Sequence, residues 1–142
     1  MSGETTEGRI LAVLQDDAQA SYAEIADRAG VSKPTVRKYV DRLEREGVIV
    51  GYSADVDPKK LSGQSIALVG VEVESERFVD ASRALAEIPA VEALYTSSGD
   101  HMLMAEVRAK DGNALGDVIS EEILAIDGVT AAHPSVLQER LK

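Results

Sequence analysis

The sequence predicts an α+β fold in two parts, a three-helix helix-turn-helix domain followed by a ferredoxin-like βαββαβ domain. Apolar residues recur at helical spacing over residues 7–46. From residue 65 onward the segments follow the order strand–helix–strand–strand–helix–strand, which is the order of the split βαβ motif. A polar connection with Pro58 and Gly63 separates the two patterns. We therefore place the domains at residues 1–53 and 65–142, with a linker at residues 54–64.

Composition bounds the class of protein. The 142 residues include 25 acidic and 15 basic side chains and no cysteine, which excludes disulfides and thiol nucleophiles. No apolar run is long enough to span a membrane and the N-terminus has no signal-peptide pattern, so we expect a cytoplasmic protein with no membrane partner. The acidic excess favours a salt-rich cytoplasm, where charge is screened within about 3 Å at 1 M salt. An ordinary acidic surface is the alternative.

The first two helices are predicted by apolar spacing and by their caps. Residues 7–16 place Ile10 and Leu14 on one face. Residues 21–29 begin with Ser21 and carry Glu24 three positions later, a capping box that satisfies two backbone N–H groups. Gly30 is a natural residue to end this helix. Together these residues predict two short helices joined by a turn.

The third helix, at residues 32–46, is predicted by Ser32 as N-cap and Pro34 in the first turn. Its apolar residues recur every three or four positions and face inward, and Gly47 ends it. The apolar run at residues 48–52 predicts a β-strand directly after the helix.

The second half alternates strands and helices. We predict strands at residues 65–75, 91–98 and 101–109, helices at 79–88 and 113–126, and a last extended segment at 130–142. In this fold the helices cover one face of the sheet. The other face would expose a large apolar patch of valine and leucine side chains, which favours a homodimer that packs sheet against sheet.

The third helix concentrates positive charge in an acidic chain. Residues 32–45 hold five basic and two acidic side chains, a local charge of 5 − 2 = +3 against −10 overall. Pairs such as Arg37–Asp41 and Asp41–Arg45 at i,i+4 spacing would make this an ordinary solvated face. Its position after a helix and a three-residue turn instead favours a recognition helix that binds double-stranded DNA.

The predicted DNA contacts follow from position on the two helices. Arg37 and Lys38 lie in the half that enters the major groove and suit guanine edges. Arg42 and Arg45, one turn further on, suit phosphates. The complete predicted set consists of Ser21, Tyr22, Ser32, Lys33, Thr35, Arg37, Lys38, Arg42 and Arg45.

The order of these motifs resembles the Lrp/AsnC ("feast/famine") transcription regulators. The resemblance runs through the helix-turn-helix, "LEREGVIVGYSADVDP", "TSSGDHMLM" and "IDGV", nearly the whole chain. It implies a winged-helix-like or plain helix-turn-helix domain joined to a regulator-of-amino-acid-metabolism (RAM) domain. It also implies dimers that assemble further, commonly into octamers, and an amino-acid effector that alters assembly or DNA binding.

The resemblance places the effector at the turn "SSGD", residues 97–100. Backbone N–H groups around Gly99 would hold an α-carboxylate, and Asp100 would pair with an α-ammonium group. The full candidate set is Tyr95, Ser97, Ser98, Gly99, Asp100 and His101. The family turn often continues Gly-Asp-Tyr-Asp, whereas this chain continues with His101 and Met102, which leaves open another effector or none. An ordinary hairpin turn is the alternative.

We also considered metal or cofactor binding, an enzyme, and an architectural DNA-binding protein. The two histidines show no metal-ligand spacing, so we predict no metal and no cofactor. An enzyme is disfavoured because no phosphate-binding loop and no nucleophile–base set is evident. An architectural DNA-binding protein without an effector remains the alternative to a regulator of amino-acid or nitrogen metabolism genes.

Overall fold

The structure is a computed structural model and describes residues 5–142, so the first four residues of the predicted first domain lie outside it. The chain divides into two compact units, one ending at Asp55 and one spanning Val56–Lys142. Each unit has its own aliphatic core.

The first unit is built from three helices, α1 (Thr6–Asp16), α2 (Tyr22–Ala29) and α3 (Lys33–Arg45). Ser21 caps α2 as predicted, because its Oγ accepts the N–H of Glu24 at 3.1 Å. Gly30 ends that helix with φ of 71°, a conformation that favours glycine. The core of this unit contains buried residues from all three helices, among them Ile10, Val13, Ile25, Val36 and Val40.

The β-strand predicted at residues 48–52 is absent, and residues 5–55 contain helices and loops only. The N–H groups of Val48 and Ile49 both donate to the carbonyl of Leu43, at 2.9 and 3.0 Å, so the chain folds back on the end of α3. Tyr52 then donates its hydroxyl to Glu44 Oε2 at 2.9 Å. An apolar run becomes a strand only where a partner strand lies beside it, and this unit offers none among its described residues.

The second unit is a four-stranded antiparallel sheet with helices in the predicted order. Its elements are β1 (Ser65–Val73), α4 (Phe78–Ala86), β2 (Val91–Thr96), β3 (Leu103–Ala109), α5 (Gly112–Asp117) and β4 (Val129–Val136). The strands lie in the order β2-β3-β1-β4, so the first strand is central, as in the ferredoxin-like fold. The predicted helix at 113–126 is shorter as an α-helix, since a π-helical stretch, Val118–Ile123, continues α5.

The two faces of the sheet differ in composition. Alternate residues of β1, including Val69 and Val71, are buried with Leu85 of α4 and Leu115 of α5. The helix-free face carries the intervening residues. There Leu68 is 40 % exposed and Tyr95 64 % exposed, and the face also carries Glu72, Met104, Glu106, Arg108 and His133. The apolar patch is therefore smaller than predicted, because the strand period of two places the valines of β1 on the helix side.

Candidate DNA interface and effector loop

The exposed face of α3 carries basic side chains without ionic partners. Lys33, Arg37, Lys38 and Arg45 are all exposed. None of these four forms an ion pair within residues 5–142. The i,i+4 pairs with Asp41 that an ordinary solvated helix face would use are accordingly not formed. Four cations are left available to an external anion.

Arg37 has a defined position on this face. Its guanidinium carbon lies 5.1 Å from the centre of the Tyr22 ring, at the start of α2. An arginine stacked on an aromatic face loses less side-chain freedom when it binds a planar partner. Beside it is a shallow depression of about 340 Å³, lined by Lys33, Pro34, Arg37, Lys38 and Asp41.

Arg42 differs from the other basic residues of α3. Its Nη2 donates to Glu7 Oε1 of α1 at 2.6 Å, and its Nε lies 3.8 Å from Glu46 Oε1. Its guanidinium also lies 4.7 Å from the centre of the Tyr39 ring. We predicted a phosphate contact for Arg42. These internal partners join α3 to α1, and a phosphate contact by the partly exposed Arg42 stays a prediction.

The remaining predicted DNA contacts lie at helix N-termini. Ser32 Oγ accepts the N–H of Thr35 at 3.3 Å and lies 2.8 Å from the Thr35 hydroxyl. Ser21 caps α2 next to Tyr22. Because the first backbone N–H groups of a helix attract anions, these positions suit phosphate.

The effector candidates lie on a six-residue loop between β2 and β3, residues 97–102, and on the end of β2. The loop is closed by the N–H of Ser97, which donates to the carbonyl of Met102 at 3.0 Å. Tyr95, Ser97, Ser98, Gly99 and Asp100 are exposed. Gly99 differs from expectation, because its N–H donates to Ser97 Oγ at 3.2 Å and so already has an acceptor. Asp100, by contrast, has no ion-pair partner among the described side chains.

Glu72 of β1 fixes one end of this loop, and sequence reasoning did not include it in the site. Its Oε1 accepts the N–H of Met102 at 3.1 Å, and its Oε2 lies 2.5 Å from His101 Nδ1. The hydrogen bond with His101, and then that from Met102, hold the pKa of Glu72 below its ordinary value. The one available signal was the pair Gly70 and Glu72 on alternate positions of a valine-rich strand.

Comparison with known protein families matches both units. Residues 4–50 match the winged helix-turn-helix DNA-binding family, and residues 66–142 match the Lrp/AsnC ligand binding domain. The chain is 77 % identical to the transcriptional regulator LrpA1 of Halobacterium salinarum, and the alignment covers the whole of both chains. It is 44 % identical over 94 % of each chain to the regulator LrpA of Pyrococcus abyssi.

Solved structures agree with the fold. The leucine response regulatory protein of Mycobacterium tuberculosis superposes with a TM-score of 0.75 at 26 % identity, over 98 % of this chain and 94 % of the other. A Neisseria meningitidis transcriptional regulator in complex with L-methionine superposes with a TM-score of 0.71 at 21 % identity, over 98 % and 92 %. Within residues 5–142, no helix has the length and apolar character needed to cross a membrane.

Proposed function

The chain belongs to the Lrp/AsnC family of helix-turn-helix transcriptional regulators, and on that premise we propose that it binds specific DNA sites through α3 under the control of an amino-acid-like effector. Its relatives are named as transcriptional regulators, and it is not an enzyme. The genes that we propose it controls serve amino-acid or nitrogen metabolism. The observation that carries the DNA-binding proposal is the set of unpaired cations on α3.

The unpaired cations support DNA binding because they stand out against the charge of the chain. A chain of net charge −10 is repelled by DNA as a whole. Lys33, Arg37 and Lys38 nevertheless lie together at the N-terminal half of α3, which is the part of a recognition helix that contacts base edges. Arg45, about two turns beyond Lys38, suits a phosphate on the flank of the groove.

Replacing Arg37 with alanine is expected to weaken binding to the preferred site by about 1–3 kcal/mol and to relax the base preference at one position. The reason is the loss of a bidentate contact to guanine O6 and N7. Arg37→Lys should keep the charge and only part of the base preference, because one ammonium nitrogen reaches guanine O6 and N7 without the planar fork of a guanidinium group. The preferred site is selected from a random duplex library, and affinities are then measured on it and on single-base variants.

Lys110→Ala is the matched control, since Lys110 is an exposed cation of the sheet unit without an ion pair among the described residues. It should leave affinity and base preference unchanged. An Arg37→Ala protein with unaltered affinity and preference would remove Arg37 from the base-contacting set. We also propose a homodimer with two recognition helices, so the selected site should contain two half-sites about 34 Å apart.

The effector part of the proposal rests on the loop at residues 97–102 and on Tyr95. The match of residues 66–142 to a ligand binding domain, and the similarity to a leucine response regulatory protein, support an amino acid. Asp100, which has no ion-pair partner within residues 5–142, offers a carboxylate for an α-ammonium group, and the hydroxyls of Ser97 and Ser98 lie on the same loop. With its N–H bonded to Ser97, Gly99 can bind a carboxylate only if that hydrogen bond opens.

We expect at least one of the twenty amino acids to raise the melting temperature of the wild-type protein. A ligand at 100 times its Kd stabilises the folded state by about 2.7 kcal/mol. Asp100→Asn should remove most of that shift, because it removes the charge that pairs with the ammonium group. Asp117→Asn, at an exposed position of α5, is the control for loss of one carboxylate. No shift with any amino acid would discard this class of effector and favour an effector-independent architectural protein.

A further inference from the structure

Three potential metal ligands converge on the helix-free face of the sheet. Glu72 comes from β1, His101 from the loop between β2 and β3, and His133 from β4. One ligand atom of each residue lies within 4.8 Å of those of the other two. The chain contains two histidines in all, and both belong to this group. We call Glu72, His101 and His133 the Glu–His–His cluster.

The fold creates this cluster by strand register. Gly70 of β1 pairs directly with His133 of β4, and Glu72 lies two residues further along the same face. A Cβ atom at Gly70 would lie 2.2 Å from Cδ2 of His101, so the absence of a side chain there makes room for that ring. The ring of His101 consequently stacks on that of His133, with centroids 4.9 Å apart and planes inclined by 23°.

A hydrogen-bonded pair accounts for only two of these three side chains. Glu72 and His101 satisfy one another through the contact between Oε2 and Nδ1. His133 is not explained in this way, because its Nε2 lies 3.6 Å from the same Oε2, beyond hydrogen-bond distance. Nε2 of His133 thus faces Oε2 of Glu72, which already has His101 as its partner.

The geometry is close to that of a bound transition metal. Two imidazole nitrogens and one carboxylate oxygen are the donor set preferred by zinc and its neighbours in the first transition series. With metal–ligand bonds of about 2.1 Å, ligand atoms lie roughly 3.0–3.4 Å apart. The separation of 3.6 Å between His133 and Glu72 needs a small closure, and that of 2.5 Å between Glu72 and His101 an opening. The separation between the two imidazole nitrogens is at most 4.8 Å, so the two rings must also move toward a shared ion.

We propose that Glu72, His101 and His133 bind one divalent transition-metal ion per chain. All three ligands belong to one copy of the chain, so the site does not require a partner. In the single chain His133 is exposed, so the remaining coordination positions are open there to water or to a small ligand. The oxygen-preferring ions Mg²⁺ and Ca²⁺ are disfavoured by the two imidazoles. The cluster shares His101 with the candidate effector set, but the metal proposal rests neither on an amino-acid effector nor on DNA binding.

The test uses tag-free, full-length protein at neutral pH. One titration adds Zn²⁺ in competition with a chromophoric chelator, and a second adds Co²⁺ and measures its visible absorption. We expect one ion per chain, and movement of both histidine ring signals in an NMR titration with Zn²⁺. Because the chain has only two histidines, the ring signals assign the ligands directly. His133→Gln and Glu72→Gln should each lower the affinity by about tenfold or more.

Glu106→Gln is the matched control, since Glu106 lies on the same face of the sheet in β3, outside the cluster. It should keep the wild-type affinity. Circular dichroism without metal establishes that each variant is folded, and the exposed position of His133 makes its variant the safest one. Absence of stoichiometric binding, equal affinity in His133→Gln, or movement of only one histidine signal would overturn the proposal.

Discussion

Replacing Ile25 with alanine is expected to destabilise the helical unit by about 2–5 kcal/mol and to abolish DNA binding. Ile25 is fully buried in α2 among residues of α1 and α3. A unit of about 50 residues has a stability on the order of only 3–8 kcal/mol. The loss of one buried side chain, together with the cavity it leaves, therefore removes most of the free energy that holds α3 in position.

Thermal unfolding followed by circular dichroism, and binding to the selected duplex, measure the two effects. Val50→Ala is the control, because it also truncates an aliphatic side chain but at a position that is 94 % exposed. Its stability should change by less than about 0.5 kcal/mol. A fully stable Ile25→Ala protein that binds DNA normally would show that the core of the helical unit is not arranged as described.

The second large effect is expected for Gly70→Ala. The added methyl group would meet the ring of His101 at 2.2 Å, and it cannot be accommodated unless that ring moves. Overpacking of this kind costs about 1–3 kcal/mol. Displacement of His101 also breaks its contact with Glu72 and loosens one end of the loop at residues 97–102. We expect lower stability, and altered NMR signals for both histidine rings and for the loop.

The sign of this effect is informative. Gly70 lies in an ordinary strand conformation, without a positive φ. Without the contact to His101, alanine should be tolerated there and should stabilise the protein by about 0.4–1 kcal/mol. The double variant Gly70→Ala with His101→Ala should consequently recover much of the lost stability. A measured gain in stability for Gly70→Ala alone would contradict the close approach of ring and strand.

Gly116→Ala provides the comparison for Gly70→Ala. Gly116 lies in α5, and a Cβ atom there would meet nothing within 4 Å. Alanine is favoured over glycine in a helix by about 0.8–1.0 kcal/mol. The same chemical change should therefore stabilise the protein at one glycine and destabilise it at the other, as measured by denaturant unfolding.

Local features of the chain predicted the helices and their caps. Ser21, Gly30 and Ser32 act on backbone groups within a few residues of themselves, so their effect is visible in a short stretch of sequence. The order of strands and helices was predicted for the same reason, since alternation with a period of two or of 3.6 is a local property. The predicted β-strand at residues 48–52 was wrong because a strand also needs a neighbouring strand, which the sequence of that segment does not specify.

Ionic partners were less predictable than elements. Arg37 and Arg42 are both basic residues of α3, and the sequence separates them only by their position along the helix. The helix packing adds a difference in partners: it brings Glu7 of α1 to Arg42 and leaves Arg37 over Tyr22. Which cations remain for DNA is thus a consequence of how three helices pack.

By itself, the sequence determined the family, the helix-turn-helix, the order of the sheet elements and a turn at residues 97–100, because each depends on neighbours along the chain. The structure widens that turn to a loop at residues 97–102. Only the tertiary structure decided that Glu72, His101 and His133 meet, or that Gly99 already has an acceptor. Residues 72, 101 and 133 are about 30 positions apart, and no spacing rule joins them. Strand register and a missing side chain at Gly70 bring them together, since contacts across a sheet are set by pairing between distant segments.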